Sequence, residues 1–271
     1  MDNNVKQLVR SAILEIIQGT ISEKNIRKSF VIHQAKIHFV PIKYRVLGGL
    51  LQSLNIKFGN FIEKLIELVV EQDNNVKALP VSGKKIRLSM TARTDALIDQ
   101  YITNRQLPNS PDECDELFQE LLNQIVAIER TTGDAKQTIR KDVDALFSTN
   151  SGEIVYLEIK YNDDHDTGKF VDINRKFIKT YAGLVNHLEI NDPSEIKPVL
   201  YYFNPVKRWG PIYTPSRNIY RGSQLFDEHF EIEFADIDGY LQNLGDDEEI
   251  IGIFDDLYTR IRYGSDTKRL I

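Results

Sequence analysis

Residues 141–161, KDVDALFSTNSGEIVYLEIKY, contain two short strand-like segments on either side of a turn. The first segment, 142–147, alternates between polar and apolar residues, which is typical of a half-buried strand. The second, 154–161, is rich in β-branched and aromatic residues, as strands commonly are. Residues 149–152, Thr-Asn-Ser-Gly, form a cluster of turn residues between them. The stretch therefore predicts a β-hairpin.

Three charged side chains of this hairpin are expected to converge: Asp144 on the first strand, and Glu158 and Lys160 on the second. Residues two apart in a strand point to the same face, and the short turn brings Asp144 opposite the other two. Buried charges are costly unless they are paired or bound to a metal. Carboxylates are the hard oxygen ligands that suit Mg²⁺. A lysine beside them can hold or help deprotonate an attacking water and offset charge in a transition state.

The acid-x-Lys pattern has little specificity by itself, because it occurs four times in the chain. Only the pattern formed by Glu158 and Lys160 lies in a predicted strand that follows an acidic strand. A surface hairpin with a cross-strand ion pair is the structural alternative. Asp142 lies two residues before Asp144, shares its predicted face, and is the rival candidate for the first metal ligand.

The segments around the hairpin predict an α/β fold. We expect a mixed central β-sheet flanked by helices, with an N-terminal helical region. We treat residues 1–271 as one domain with a mainly helical part (1–130), a catalytic core (131–221) and an acidic C-terminal part (222–271). Apolar periodicity predicts helices at 5–18, 44–72 (with Gly59 as a point of interruption), 91–103, 111–129 and 169–188, and further strands at 84–89 and 198–203.

The charge distribution indicates a surface for a polyanion. The formal charge is −6, yet residues 24–62 carry seven lysines and arginines without an acid, and residues 197–221 carry five. Residues 222–259 carry twelve acids and no lysine or arginine. Basic stretches of this kind are what a nucleic-acid-binding face requires, although ordinary solvated faces have the same composition.

Composition also excludes several classes of protein. The single cysteine, Cys114, excludes an intramolecular disulfide framework and a cysteine-rich zinc site. Apolar runs are too short to predict a membrane span, and the N-terminus lacks the pattern of a secretory signal. We therefore expect an intracellular protein that binds no membrane.

Asp144 together with Glu158-Ile159-Lys160 resembles the PD-(D/E)xK nuclease signature. PIKYRVLG at 41–48 and LQSLNIKFG at 51–59 resemble the N-terminal helical motif of type II restriction endonucleases of the TdeIII and HinfI kind. Shorter matches of the same kind are Gly168-Lys169-Phe170, Phe203-Asn204-Pro205 and Arg208-Trp209. The resemblance spans about residues 40–221.

The resemblance implies a dimeric, Mg²⁺-dependent enzyme of the bacterial or archaeal cytoplasm that cuts both strands of a short interrupted palindrome in DNA, and we expect it to leave 5′-phosphate ends. Enzymes of the HinfI kind read GANTC and those of the TdeIII kind read GGNCC, and the residues here do not decide between the two. We expect the metal to be held by Asp144, Glu158 and the carbonyl oxygen of Ile159, and Lys160 to position the attacking water.

Glu63 follows the second N-terminal motif on a predicted helix, and the resemblance assigns it as a further catalytic acid. It would bind the metal directly or through water, or orient Lys160. The alternative is an acid on a solvent-facing side of the helix. Residues 162–167, which include His165, suggest a metal loop, but an exposed polar loop capping the next helix with Asp166 or Thr167 is the favoured interpretation.

Contacts to double-stranded DNA are expected from two segments. The helix after the catalytic strand carries five basic or amide residues, Lys176 among them, whose spacing does not place them all on one face. A loop rich in aromatic residues and proline follows at 203–221. Arginine suits guanine, asparagine suits adenine and lysine commonly meets phosphate. The predicted DNA contacts are Lys169, Asn174, Arg175, Lys179, Arg208, Arg217 and Arg221.

Two other function classes remain open at this stage. A structure-specific repair or recombination nuclease would share the charged hairpin but lack site specificity. A non-catalytic DNA-binding module would keep the basic stretches without the geometry of the hairpin. A restriction enzyme that reads a palindrome also requires two-fold symmetry, so we expect a homodimer.

Overall fold

The computed structural model describes residues 3–106, 111–131 and 135–263. The chain divides into two compact units. The first comprises Met1–Phe61 and Ala235–Ile271, and the second comprises Ile62–Phe234. The division of the chain into helical, catalytic and acidic parts of one domain stays a prediction.

The described helices and strands follow one another with short connections. The helices are α1 (Asn3–Thr20), α2 (Glu23–Gln34), α3 (Ile42–Gln72), α4 (Ala92–Asn104), α5 (Pro111–Arg130), α6 (Thr167–His187), α7 (Gln224–His229), α8 (Phe234–Gly245) and α9 (Glu248–Tyr263). The strands are β1 (Val76–Ala78), β2 (Lys84–Thr91), β3 (Lys136–Val143), β4 (Ala145–Thr149), β5 (Ile154–Lys160), β6 (Ile196–Tyr202) and β7 (Ile219–Arg221). No helix within the described ranges has the length and apolar character needed to cross a membrane.

The second unit contains a five-stranded mixed sheet in the order β1-β4-β5-β6-β7. The pairs β1–β4 and β4–β5 are antiparallel, whereas β5–β6 and β6–β7 are parallel. Strands β2 and β3 form a separate antiparallel two-stranded sheet, which we call the ribbon. The predicted α/β fold class with a mixed central sheet and an N-terminal helical region is confirmed.

Helices cover both faces of the central sheet, which explains why β5 and β6 are almost continuously apolar. On one face, Tyr156 of β5 stacks on Phe177 of α6, with ring centroids 5.6 Å apart. On the other, Phe147 of β4 packs against Phe230, the residue that follows α7, at 5.7 Å. The core between the sheet, the ribbon and α4–α6 includes Leu88, Ile98, Phe118, Ile125, Tyr156, Phe177 and Leu184.

Two local predictions were wrong. Helix α3 continues through Gly59, because one glycine in a long helix costs only about 1 kcal/mol and is outweighed by packing on either side. The strand expected at 142–147 is interrupted: β3 ends at Val143 and pairs with β2, while β4 begins at Ala145 and pairs with β5. Asp144 therefore lies at the junction of two sheets.

Candidate active site

Asp144, Glu158 and Lys160 lie together where β4 begins and β5 ends. The Lys160 Nζ atom is 2.7 Å from Glu158 Oε1 and 3.6 Å from Asp144 Oδ2. The Asp144 carboxylate also accepts a hydrogen bond of 2.8 Å from the backbone N–H of Ile159. This bond occupies the position where the β4–β5 ladder would otherwise continue, so the interrupted strand turns the Asp144 side chain toward Glu158.

A second lysine, Lys176 of α6, joins this group. Its Nζ atom is 2.7 Å from Glu158 Oε1 and 3.5 Å from Asp144 Oδ1. In the sequence, Lys176 is one of several basic residues of the helix and has no separately predicted role. The helical spacing does indicate that Lys176 faces the core. Lys176 lies three residues after Ile173 and four before Thr180, which are both buried, so the three side chains share one face of α6. We call Asp144, Glu158, Lys160 and Lys176 the acid–lysine cluster.

The acid–lysine cluster balances its own charge inside the protein. Glu158 is 0% exposed and Asp144 is 7% exposed, so each needs a compensating partner. Burial by itself raises the pKa of Glu158, but the two ammonium groups outweigh it and hold that pKa below its usual value. Burial, followed by the negative charge of Glu158, raises the pKa of Asp144.

Lys160 is held in its protonated form. Burial alone would lower its pKa, but the charges of Glu158 and Asp144 reverse this effect and raise it. The same balance raises the pKa of Lys176. Lys160 is therefore suited to donate hydrogen bonds and to neutralise negative charge, and unsuited to accept a proton.

Glu63 of α3 lies close enough to interact electrostatically with every member of the cluster. Burial, followed by repulsion from Asp144, raises its pKa to about 7, while Lys160 and Lys176 act in the opposite direction. A solvent-facing acid on an ordinary helix surface would have neither effect. The alternative of a simple helix-surface acid therefore does not fit the environment of Glu63.

The donor atoms proposed for a metal converge on one point. Lys160 Nζ is 2.7 Å from Glu158 Oε1 and 2.6 Å from the carbonyl oxygen of Ile159, so one cationic group already contacts two of the three donors. Hard oxygens in this arrangement fit a divalent cation such as Mg²⁺. In the described part of the chain, no group of three or more His, Cys, Asp and Glu side chains is placed to hold a metal ion.

The rival residues lie elsewhere. Asp142 is exposed on the ribbon, where its carboxylate is 3.6 Å from Lys85 Nζ, and it does not join the cluster. The expectation that residues 162–167 cap the next helix is confirmed, because Asp166 is the N-cap of α6 and accepts a 2.8 Å hydrogen bond from the backbone N–H of Lys169. The expectation that this loop is exposed was wrong in part, because Asp163 and His165 are buried.

Four of the residues predicted to contact DNA are paired with acids of the same chain, and Arg221 is one of them. Arg175 bonds to Asp99 and Asp172, at 3.1 and 2.9 Å. Lys179 bonds to Asp95 and Asp99, at 2.6 and 3.1 Å, and Arg217 Nε lies 3.5 Å from Asp115. By contrast, Lys169 is exposed at the start of α6, and Arg208 is exposed in the following loop, above the ring of Trp209.

The two remaining residues, Asn174 and Arg221, hold the loop at 203–215 in place. Asn174 is 1% exposed, donates to the carbonyl of Phe170 and accepts from the hydroxyl of Thr214. Arg221 donates to the buried carboxylate of Asp163 at 2.6 Å, and the same oxygen accepts the backbone N–H groups of Arg208 and Trp209. Both side chains therefore have structural partners that the sequence pattern did not reveal.

Comparison with known proteins gives two matches over nearly the whole chain. The family model described as "Type II restriction endonuclease, HinfI" matches residues 1–245. The type II restriction enzyme HinfI of Haemophilus influenzae is 44% identical over 266 residues, which cover 96% of this chain and 98% of that protein. No solved structure matches. The family match includes every segment that contributes to the acid–lysine cluster.

Proposed function

The chain belongs to the HinfI family of type II restriction endonucleases, and from this premise we propose that it cuts both strands of DNA at a short interrupted palindrome with the help of Mg²⁺. Family membership makes the chain a site-specific endonuclease. The observation that carries the finer proposal is the convergence of Asp144, Glu158 and the Ile159 carbonyl around the Lys160 ammonium group.

We assign Asp144, Glu158 and the carbonyl of Ile159 as the residues that hold Mg²⁺. A bound magnesium ion polarises the scissile phosphate and lowers the pKa of a coordinated water. Asp144 is fixed for this role by the N–H of Ile159, and Glu158 is fixed by two lysines. The carboxylates are thus oriented by the protein before the substrate arrives, which is the arrangement that favours catalysis.

Lys160 positions the attacking water and offsets the charge that develops on the phosphate, acting as a protonated hydrogen-bond donor. In-line attack by that water leaves a 5′-phosphate and a 3′-hydroxyl. Glu63 supplies the further acid, either through a water on the metal or by orienting Lys160. Its interactions with both Lys160 and Asp144 support this assignment.

The proposed recognition sequence is an interrupted palindrome of the GANTC type, which is what the resemblance to the HinfI kind implies, and GGNCC is the alternative. Each half-site is read by one protomer of a homodimer, so that each strand meets its own catalytic site.

Lys169 and Arg208 are the exposed candidates for DNA contact. Arg175, Lys179 and Arg217 would have to exchange their acidic partners for phosphates, while Asn174 and Arg221 position the loop. The protein acts in the cytoplasm, where the DNA is.

Digestion of a sequenced plasmid tests the proposal. With Mg²⁺ we expect discrete fragments, and run-off sequencing of their ends identifies the site, the cut position and the overhang. Ca²⁺ should support binding without cleavage, because its looser coordination places the water poorly.

A smear would indicate a repair nuclease, and binding without cleavage in Mg²⁺ would indicate a non-catalytic module. A monomer by light scattering on cognate DNA contradicts the homodimer.

A further inference from the structure

The solvent-facing side of the ribbon carries an unusual concentration of positive charge. Its register pairs Lys85 with Asp142, Arg87 with Arg140, and Ser89 with Thr138. Directly paired residues of an antiparallel ladder point to the same face. This side, which we call the ribbon face, thus has three basic side chains and one acidic side chain, and its only acid is already paired with Lys85. Lys136 follows the same alternation at the start of β3, but its ammonium group donates to the carbonyl of Glu129 and to the side chain of Asn186 and does not belong to the ribbon face.

Arg87 and Arg140 lie directly opposite each other at the centre of the ribbon face. Both are exposed, and neither side chain forms an ion pair or a hydrogen bond with any residue in the described ranges. Like charges placed directly across two strands repel and destabilise the pair. Four of the six basic residues first predicted to meet DNA differ, because Arg175, Lys179, Arg217 and Arg221 have acidic partners.

The orientation of the ribbon face is fixed by packing. The opposite side of the ribbon buries Leu88 and Met90, which are 2% and 1% exposed. Leu88 packs against Gly183 of α6 so closely that a Cβ atom on that glycine would lie 2.7 Å from the Leu88 Cβ. The ribbon therefore cannot rotate to hide its arginines without losing this contact.

The ribbon face is also continuous with the acid–lysine cluster. Strand β3 ends at Val143, and Asp144 is the next residue. Arg140 precedes Asp144 by four residues, which is about 13 Å along an extended strand at roughly 3.3 Å per residue. That distance is comparable with the width of a DNA groove, about 12 Å for the major groove. A duplex whose scissile phosphate lies at Asp144 thus has further phosphates within reach of Arg140 and Arg87.

We propose that the ribbon face is a DNA-binding surface on which Arg87 and Arg140 contact the sugar–phosphate backbone beside the scissile phosphate. This inference rests on the proposed function, because it takes the duplex cut at the acid–lysine cluster as the occupant. The two arginines repel each other in the free protein, and a phosphate bound between them relieves that repulsion. The dense negative charge of a duplex is the complement that this face lacks within its own chain.

Binding of cognate DNA in Ca²⁺, measured by fluorescence anisotropy over a range of salt concentrations, tests the proposal. Arg140→Gln should weaken binding roughly tenfold and reduce the slope of log affinity against log salt by about one, as expected when one charged phosphate contact is lost. In the double variant Arg87→Gln/Arg140→Gln, the affinity for DNA should fall by roughly the square of that factor. Lys77→Gln, which removes one exposed charge from β1 of the other sheet, is the matched control and should bind within twofold of wild type.

Photocrosslinking gives a second measurement that does not depend on affinity. Cys114 is buried, so Thr138→Cys provides a single reactive thiol on the ribbon face for an aryl azide label. The labelled protein should crosslink to the duplex within a few base pairs of the cut, and the same label at Lys77→Cys should not. Crosslinking from both positions, or from neither, overturns the proposal.

The outcomes also separate this inference from the proposed function. If wild type does not cut DNA, the proposed function fails, and the ribbon inference fails with it because it takes the cut duplex as the bound molecule. If wild type cuts at discrete sites but Arg87→Gln/Arg140→Gln binds with unchanged affinity and salt slope, only the ribbon inference fails. If the double variant instead changes the oligomeric state in light scattering, the face is an interface between copies of the chain and the inference is wrong.

Discussion

The acid–lysine cluster and the ribbon face use closely spaced charges in opposite ways. In the cluster, each of two ammonium groups lies within 3.6 Å of an oxygen of each of two carboxylates, so the charges are compensated inside the protein. On the ribbon face, two arginines oppose each other in solvent without an acid from the described residues. The comparison indicates that charges compensated internally orient groups for chemistry, whereas uncompensated charges are available to bind a charged partner.

The largest expected effect is on the stability of the cluster. Glu158→Ala leaves two lysines beside a single carboxylate in a buried site. Removing one partner of a buried ion pair typically costs about 3–5 kcal/mol, and we expect that loss in the free energy of unfolding measured with urea in EDTA. A variant as stable as wild type would show that the cluster is not internally compensated.

Lys160→Met should lower the rate of plasmid cleavage by roughly 10²–10³-fold, because it removes a preoriented, positively charged hydrogen-bond donor that stabilises the transition state. Binding of cognate DNA in Ca²⁺ should change little, since the ribbon face and the exposed basic residues remain. Lys160→Met thus lowers the cleavage rate without changing the affinity for DNA, whereas Arg140→Gln is expected to lower the affinity. Cleavage at the wild-type rate would refute the assignment of the site.

Lys176→Met should produce a smaller effect, because Lys160 still contacts Glu158. We expect the free energy of unfolding to fall by about 1.5–3 kcal/mol, the usual contribution of a hydrogen bond to a charged group. Lys179→Met is the matched control on the same helix, because Lys179 pairs with Asp95 and Asp99 instead of the cluster. Equal losses in the two variants would mean that Lys176 contributes no more to stability than a lysine paired outside the cluster.

Glu63→Gln should change the pH dependence of stability. The pKa of Glu63 is raised from 4.5 to about 7, so the folded protein binds this proton more tightly than the unfolded chain does. The ionised form consequently lowers stability as the pH rises from about 4.5 to 7, and the effect is complete above 7. In EDTA, the melting temperature of Glu63→Gln relative to wild type should therefore increase across this range and then level off. A constant difference would contradict the raised pKa.

The smallest expected effect sharpens the other half of the comparison. Arg87→Gln removes one of two opposed like charges and should raise the stability of the DNA-free protein by a few tenths of a kcal/mol, up to about 1 kcal/mol. Added salt screens the repulsion and should reduce this gain. Thermal melting at low and high salt measures both. A loss of stability at low salt would mean that the two arginines do not repel each other.

The hairpin and three members of the cluster were predictable from the sequence because they depend on short-range rules. Alternation with period two and a turn at 149–152 are sufficient to bring Asp144, Glu158 and Lys160 together. Most strands and helices around them follow from apolar periodicity in the same way. The interruption of the strand at Asp144 was not predictable, because it results from pairing with β2, a strand more than fifty residues earlier.

The partners of the basic residues were also beyond local rules. Asp99 pairs with Arg175 and Asp163 pairs with Arg221, over separations of 76 and 58 residues. A sequence pattern shows where a charge lies but not whether the folded chain supplies its counter-ion. The ribbon arginines were overlooked for a related reason: residues 136–141 are too polar to suggest a strand until their pairing with β2 is known.

The position of Asp144 between two sheets has a mechanical consequence. Its carboxylate accepts a hydrogen bond from β5, yet its backbone is the direct continuation of β3. A movement of the ribbon therefore moves one of the proposed metal ligands. Anything that holds the ribbon in one position also selects one placement of that carboxylate. By thermodynamic reciprocity, a cation that favours the same placement tightens whatever is bound on the ribbon, and each strengthens the other by the same factor.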